Sequence, residues 1–197
     1  MKLESIVYTI AGMCFGVLLG WVIATQQAVA PAAPPPPAAA AAPGANAPPP
    51  LDEGKVQALT TIVKSDPQNE NALVQLANTY FDAERWPDAV QWYERAIKIN
   101  PNNTDASTDL GVSYYYMSQP DRALEQFEHS LKLDPKHTKT LLNKGIVLAF
   151  GKQDLKAAAA EWQKVVELSP DSVEGQTARR ALEGVAAAHA DQPASNQ

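Results

Sequence analysis

From Asn71 to Ala83 the apolar residues Leu73, Leu76, Ala77 and Tyr80 fall three and four positions apart, the spacing of one face of a helix. Pro87–Ile99 shows the same period through Ala89, Tyr93 and Ala96, and a short polar turn separates the two stretches. The second stretch then recurs. RWPDAVQWYERAIKINP (85–101) returns 34 residues later as QPDRALEQFEHSLKLDP (119–135) and again as DLKAAAAEWQKVVELSP (154–170). Self-similarity at a fixed period of this length predicts stacked helix pairs, each burying its apolar face against its neighbours.

The recurring positions are Leu73, Leu76, Ala77, Tyr80, Ala89, Tyr93, Ala96 and Pro101 in the first unit. They are Leu110, Gly111, Tyr114, Ala123, Phe127, Ser130 and Pro135 in the second, and Leu141, Gly145, Leu148, Ala158, Trp162, Val165 and Pro170 in the third. This set resembles the tetratricopeptide repeat, whose pattern is Trp-x-x-Leu-Gly-x-x-Tyr, then Ala-x-x-x-Phe, then Pro. The first pattern position departs from Trp (Leu73, Ser107, Leu141), Lys144 stands where Leu precedes Gly145, and the third unit has one residue more, placed in its turn near Gly151–Leu155. The expected fold is an all-α solenoid of antiparallel helix pairs, with repeats at about 70–103, 104–137 and 138–171. A lone helix over 51–66 precedes them and a cap helix over 172–188 follows.

Physical expectations attach to particular residues. Ala77, Gly111 and Gly145 should let paired helices approach closely, with Tyr93, Phe127 and Trp162 filling the space between successive pairs. Asn100-Pro101, Asp134-Pro135 and Ser169-Pro170 should stop one helix and start the next. Glu94/Lys98 and Glu128/Lys132 should form i,i+4 pairs on exposed faces.

The N-terminal part reads differently. Residues 5–24 form a twenty-residue run without charge, enough for one helix to cross ~30 Å of hydrocarbon. Ala28-Val29-Ala30 resembles a cleavage site but Pro31 follows it, and Met13 before Cys14 is too bulky for a lipoprotein signal, so an uncleaved anchor over 1–25 is expected. Lys2 and the amino terminus should keep the N-terminus in the cytoplasm and the domain outside a bacterial inner membrane, in the periplasm if the cell is Gram-negative. Gly12, Gly16 and Gly20 form a stripe that suits packing against a second membrane helix, a homodimer included, or reflects only the tolerance of membrane spans for glycine. Residues 26–50 are Pro- and Ala-rich, a disordered tether or a proline-rich ligand, and 189–197 read as a tail. The one cysteine lies inside the span.

Chemistry is sparse. His129, His137 and His189 have no second ligand at metal spacing apart from Glu125 near His129, and Asp105 and Asp109 suit a first helical turn better than a catalytic pair. No phosphate loop, nucleophile elbow or haem attachment motif occurs, so no enzyme activity, cofactor or metal is expected. A net charge of −6 without a basic stripe argues against nucleic acid.

The resemblance implies a concave groove lined by the first helix of each pair, with a protein or peptide partner. Its candidate positions are Asn71, Val74, Gln75, Asn78, Phe81 and Asp82, then Asp105, Thr108, Asp109, Val112, Tyr115 and Tyr116, then Lys139, Leu142, Asn143, Ile146 and Phe150. Asn78, Lys139 and Asn143 look similar to the clamp with which chaperone cofactors of this family grip a C-terminal carboxylate, but Val74 and Asp109 stand where a Lys and an Asn belong. The whole arrangement looks, more loosely, like bacterial repeat proteins of cytochrome c maturation. A general envelope scaffold and a self-associating structural tether stay open beside it.

Overall fold

The structure, a computed structural model, describes residues 48–190, with side chains through 187. The expected anchor, its glycine stripe, most of the tether and residues 191–197 of the expected tail lie outside the described residues, while 189–190 continue the last helix. No helix among those described is long and apolar enough to cross a membrane.

Eight α-helices and no strand make up the described residues. They are α1 (Glu53–Ser65), α2 (Glu70–Asp82), α3 (Trp86–Ile99), α4 (Thr104–Tyr116), α5 (Pro120–Leu133), α6 (Thr138–Ile146), α7 (Leu155–Leu168) and α8 (Val173–Ala190). Each helix packs on the next, and α6 also touches α8. The core is a row of three clusters. Leu59, Val63, Leu73 and Leu76 form one, Tyr93, Leu110, Tyr114 and Phe127 a second, and Leu141, Trp162, Val165 and Ala178 the third.

Local chemistry sets the helix ends. The turns within pairs use a residue in the left-handed region, Glu84 (φ 55°), Ser118 (φ 59°) and Gln153 (φ 57°). In the first two, the amides of residues 84 and 85 reach the carbonyls of Phe81 and Tyr80, and those of 118 and 119 reach Tyr115 and Tyr114. That is the Schellman arrangement, which satisfies the last carbonyls of a helix. Between pairs, Asp66, Asn100 and Asp134 each accept from the amide two residues on, at 3.2, 3.1 and 3.0 Å. Asn69 and Asn103 then cap the next helices by accepting from Ala72 and Ala106, both at 2.9 Å.

Several expectations are corrected here. Pro101, Pro135 and Pro170 do not begin helices, which start three residues later; an Asx turn intervenes at the first two, and Ser172 caps the helix after Pro170 by accepting from Gly175 N–H at 3.0 Å. The extra residue of the third unit is not added to its turn. It widens the end of α6 into a π-helical turn, Val147–Gly151, where Lys152 N–H donates to Val147 and Asp154 N–H to Leu148. The hydrogen-bond loop grows by one residue and Gln153 keeps the left-handed place of Ser118.

Two of the large rings, Phe127 and Trp162, also press on the glycine of their own pair's first helix. A β-carbon at Gly111 would lie 2.8 Å from Phe127 Cδ1, and one at Gly145 would lie 2.6 Å from Trp162 Cδ1. Glycine leaves the space that each ring fills, and Trp162 Nε1 donates to the Leu142 carbonyl at 3.2 Å.

The surface acids pair across helices instead of along them. Glu94 accepts from the Tyr114 hydroxyl at 2.6 Å and lies 3.4 Å from Arg122, instead of pairing with Lys98. Glu128 meets Lys144 at 2.5 Å instead of Lys132. Lys144 also binds Glu161 at 2.9 Å, and Lys164 binds Glu161 at 2.8 Å, so this departure from the repeat pattern joins α5, α6 and α7.

Candidate functional site

The first helices α2, α4 and α6 carry the expected groove residues. On α2, Asn71 and Gln75 are exposed and their side-chain amides bond to each other, while Val74 is half-buried beside them. Together with Glu70 and Asn103 they line a shallow depression of about 470 Å³, open solvent included. Glu70 accepts there from Asn100 Nδ2 at 2.9–3.0 Å and from Asn103 Nδ2 at 2.6 Å, which ties α2 to the turn before α4.

Three candidate positions do not face solvent. Thr108 is 0% exposed, because its hydroxyl donates to the Thr104 carbonyl at 2.8 Å and shares a 2.6 Å bond with Thr140. Leu142 and Ile146 are buried in the third core cluster. A partner cannot touch these three without opening the fold. Half-buried Val112 supports the second core cluster, Tyr115 packs against the second and third, and Phe150 is exposed at the end of α6.

The polar positions are tied to the chain itself. Asn78 Oδ1 accepts from the buried Tyr93 hydroxyl at 2.6 Å. Lys139 meets Asp109 at 2.7 Å, and Asn143 Nδ2 donates to the Lys139 carbonyl at 2.8 Å. Burial pushes the Asp109 carboxyl above its ordinary range, against the pull of the Lys139 ammonium. Asp105 lies 3.3 Å from His137 Nε2, whose Nδ1 shares a 2.6 Å bond with Thr140. The three clamp-like residues Asn78, Lys139 and Asn143 are thus all committed within the fold. His129 is half-buried, not on an outer face, with its Nδ1 3.2 Å from Ser107 Oγ. Among the described residues no group of three or more His, Cys, Asp or Glu could hold a metal ion.

At the other end of the same face the side chains are aromatic. Trp86, the first residue of α3, stacks on Tyr116 with centroids 4.0 Å apart and planes 3° from parallel. Phe81 meets Trp86 edge-on at 5.0 Å and Tyr116 at 6.4 Å. Tyr115 lies 6.2 Å from Tyr116. Burial, then Glu84 and Tyr115, push the Tyr116 hydroxyl up to about 12. Burial, with Asp109 and Asp82, pushes the Tyr93 hydroxyl far above its usual value. Trp86 is not among the expected groove positions, because it sits on a second helix outside the groove pattern. Its signal was an aromatic directly before the Pro that opens that helix.

Helix pairs repeating at 34–35 residues, with one left-handed turn residue within each pair, define a helical-repeat solenoid. Residues 77–118 match a family model described as TPR repeat and residues 108–173 one described as Tetratricopeptide repeat, and over these residues the chain carries tetratricopeptide repeats. No curated protein matches the chain. Among solved structures it is similar to a crystal structure of MamA, with TM-score 0.64 and 17% identity over 70% of this chain and 78% of that one. The first TPR of Spaghetti (RPAP3) bound to the HSP90 peptide SRMEEVD gives 0.57 and 24%, over 64% and 97%. The Yersinia enterocolitica type III secretion chaperone SycD, in complex with a peptide of the translocator YopD, gives 0.56 and 18%, over 60% and 93%.

Proposed function

We propose that this chain is a non-catalytic scaffold that holds a segment of a partner protein against the inner face of α2, α4 and α6. The observation that carries this reading is the accessible surface left there. Asn71 and Gln75 are exposed, Phe81, Tyr115 and Tyr116 are half-exposed, and Phe150 is exposed at the far end. Rings for packing beside amides for hydrogen bonding suit an extended peptide. Two structural neighbours were solved with peptides, which supports the same use of the fold. In this reading residues 5–24 hold the domain at a bacterial inner membrane, where it supports assembly of an envelope complex.

The test is site-specific photocrosslinking in the native host. Benzoylphenylalanine at Asn71 or Gln75 on α2 should yield discrete partner adducts, while the same group at the exposed Gln91 on α3 should not. Adducts of equal yield from Gln91 would remove the inner face as the binding surface.

A further inference from the structure

We infer that the aromatic end of the inner face receives a basic side chain, so that the segment it holds is Lys- or Arg-bearing. The inference rests on the scaffold reading above and adds the chemistry of the occupant. Phe81, Trp86, Tyr115 and Tyr116 form one continuous set of rings, each only half-buried, so part of their π surface meets solvent. A guanidinium or ammonium within about 6 Å of such a ring face is attracted by its quadrupole.

Two carboxylates neighbour these rings along the chain: Asp82 directly follows Phe81, and Glu84, in the turn two residues before Trp86, also opposes ionisation of Tyr116. Both are exposed, and among the described residues neither takes part in an ion pair. Arg85, which directly precedes Trp86, is itself engaged, held by Asp88 at 2.7 Å. Open rings beside uncompensated acids favour a cation from outside and repel an acidic segment. The Pro/Ala-rich residues 31–50 contain no Lys or Arg, so the chain's own tether does not supply that cation.

The experiment selects random twelve-residue peptides from a display library on the full-length chain in detergent. It is run in parallel on D82N/E84Q and on Y116A, whose foldedness is checked by circular dichroism. Peptides recovered on the unmodified chain should be enriched in Lys and Arg. D82N/E84Q should bind them about fivefold more weakly at 50 mM salt, as two partly exposed ion pairs allow, and the gap should shrink at 0.5 M salt. Recovered peptides that are neutral or acidic, yet lost on Y116A, would overturn the basic occupant and leave the inner face standing as a binding surface. Basic peptides that bind D82N/E84Q undiminished would also overturn it. Peptides unaffected by Y116A would instead remove this end of the face from the scaffold reading.

Discussion

Asp109 carries a carboxylate that the fold houses poorly. Its side chain is 18% exposed, and burial raises its pKa despite Lys139 at 2.7 Å. An acid whose folded value lies above its unfolded one favours the protonated form in the folded state. The stability it contributes is full below the unfolded value of about 3.9 and is lost as pH rises through the raised value. Asp109→Asn keeps the shape and an acceptor for Lys139 but removes the charge. It should melt at or above the unmodified protein at pH 7, with the gap closing as pH falls towards about 4. A lower melting temperature at pH 7 would mean that the ion pair outweighs burial. The same residue shows where sequence reasoning stopped. The pattern placed Asp109, Lys139 and Asn143 on one face, but which polar groups satisfy each other depends on distances between helices that spacing does not encode. Thr108 failed for a related reason, since nothing in its position revealed that Thr140, one repeat on, completes its hydrogen bonding.

Among the elements, α5, α6 and α7 are joined by a mixed-charge network whose centre is Lys144 and Glu161. Burial disfavours both charges, yet hydrogen bonding and ion pairing outweigh it, so Lys144 is held above its usual range and Glu161 below its own. Glu161's contribution is therefore present above the ordinary carboxylate pKa and lost as pH falls through its depressed value. Lys144→Met leaves Glu161, 10% exposed, with only Lys164, and should cost about 1–3 kcal/mol in urea unfolding. The double variant K144M/E161M should recover most of that loss, since an apolar pair of similar size removes both desolvation penalties. Additive effects in this cycle would mean that the two residues do not act as a unit. The helix pairs themselves were legible because small, aromatic and proline positions recur in phase. The network was not, because Lys144 reads as a simple departure from the pattern until Glu128 and Glu161 are seen beside it. The π-helical turn was hidden in the same way: sequence counts one added residue, and only backbone hydrogen bonding shows that the helix end absorbs it.

For the domain as a whole, the division of its core into three successive clusters makes stability a matter of neighbours. Ending the chain at Asp171 removes α8, which packs on α7 and α6 and buries Ala178 against the third cluster. Amides of α6 and α7 should then exchange faster by an order of magnitude or more, while those of α1–α3 keep their protection. Uniform acceleration across all helices would show a single cooperative core instead. Such a row of clusters also has a mechanical consequence. Each pair is held chiefly by the pair on either side, so tension along the chain meets one interface at a time rather than all of them together. The domain should lengthen under load as a series of modest yields and recoil by the same steps. Fixed at one end and gripping a segment at the other, it would act as an extensible link that lets go in stages.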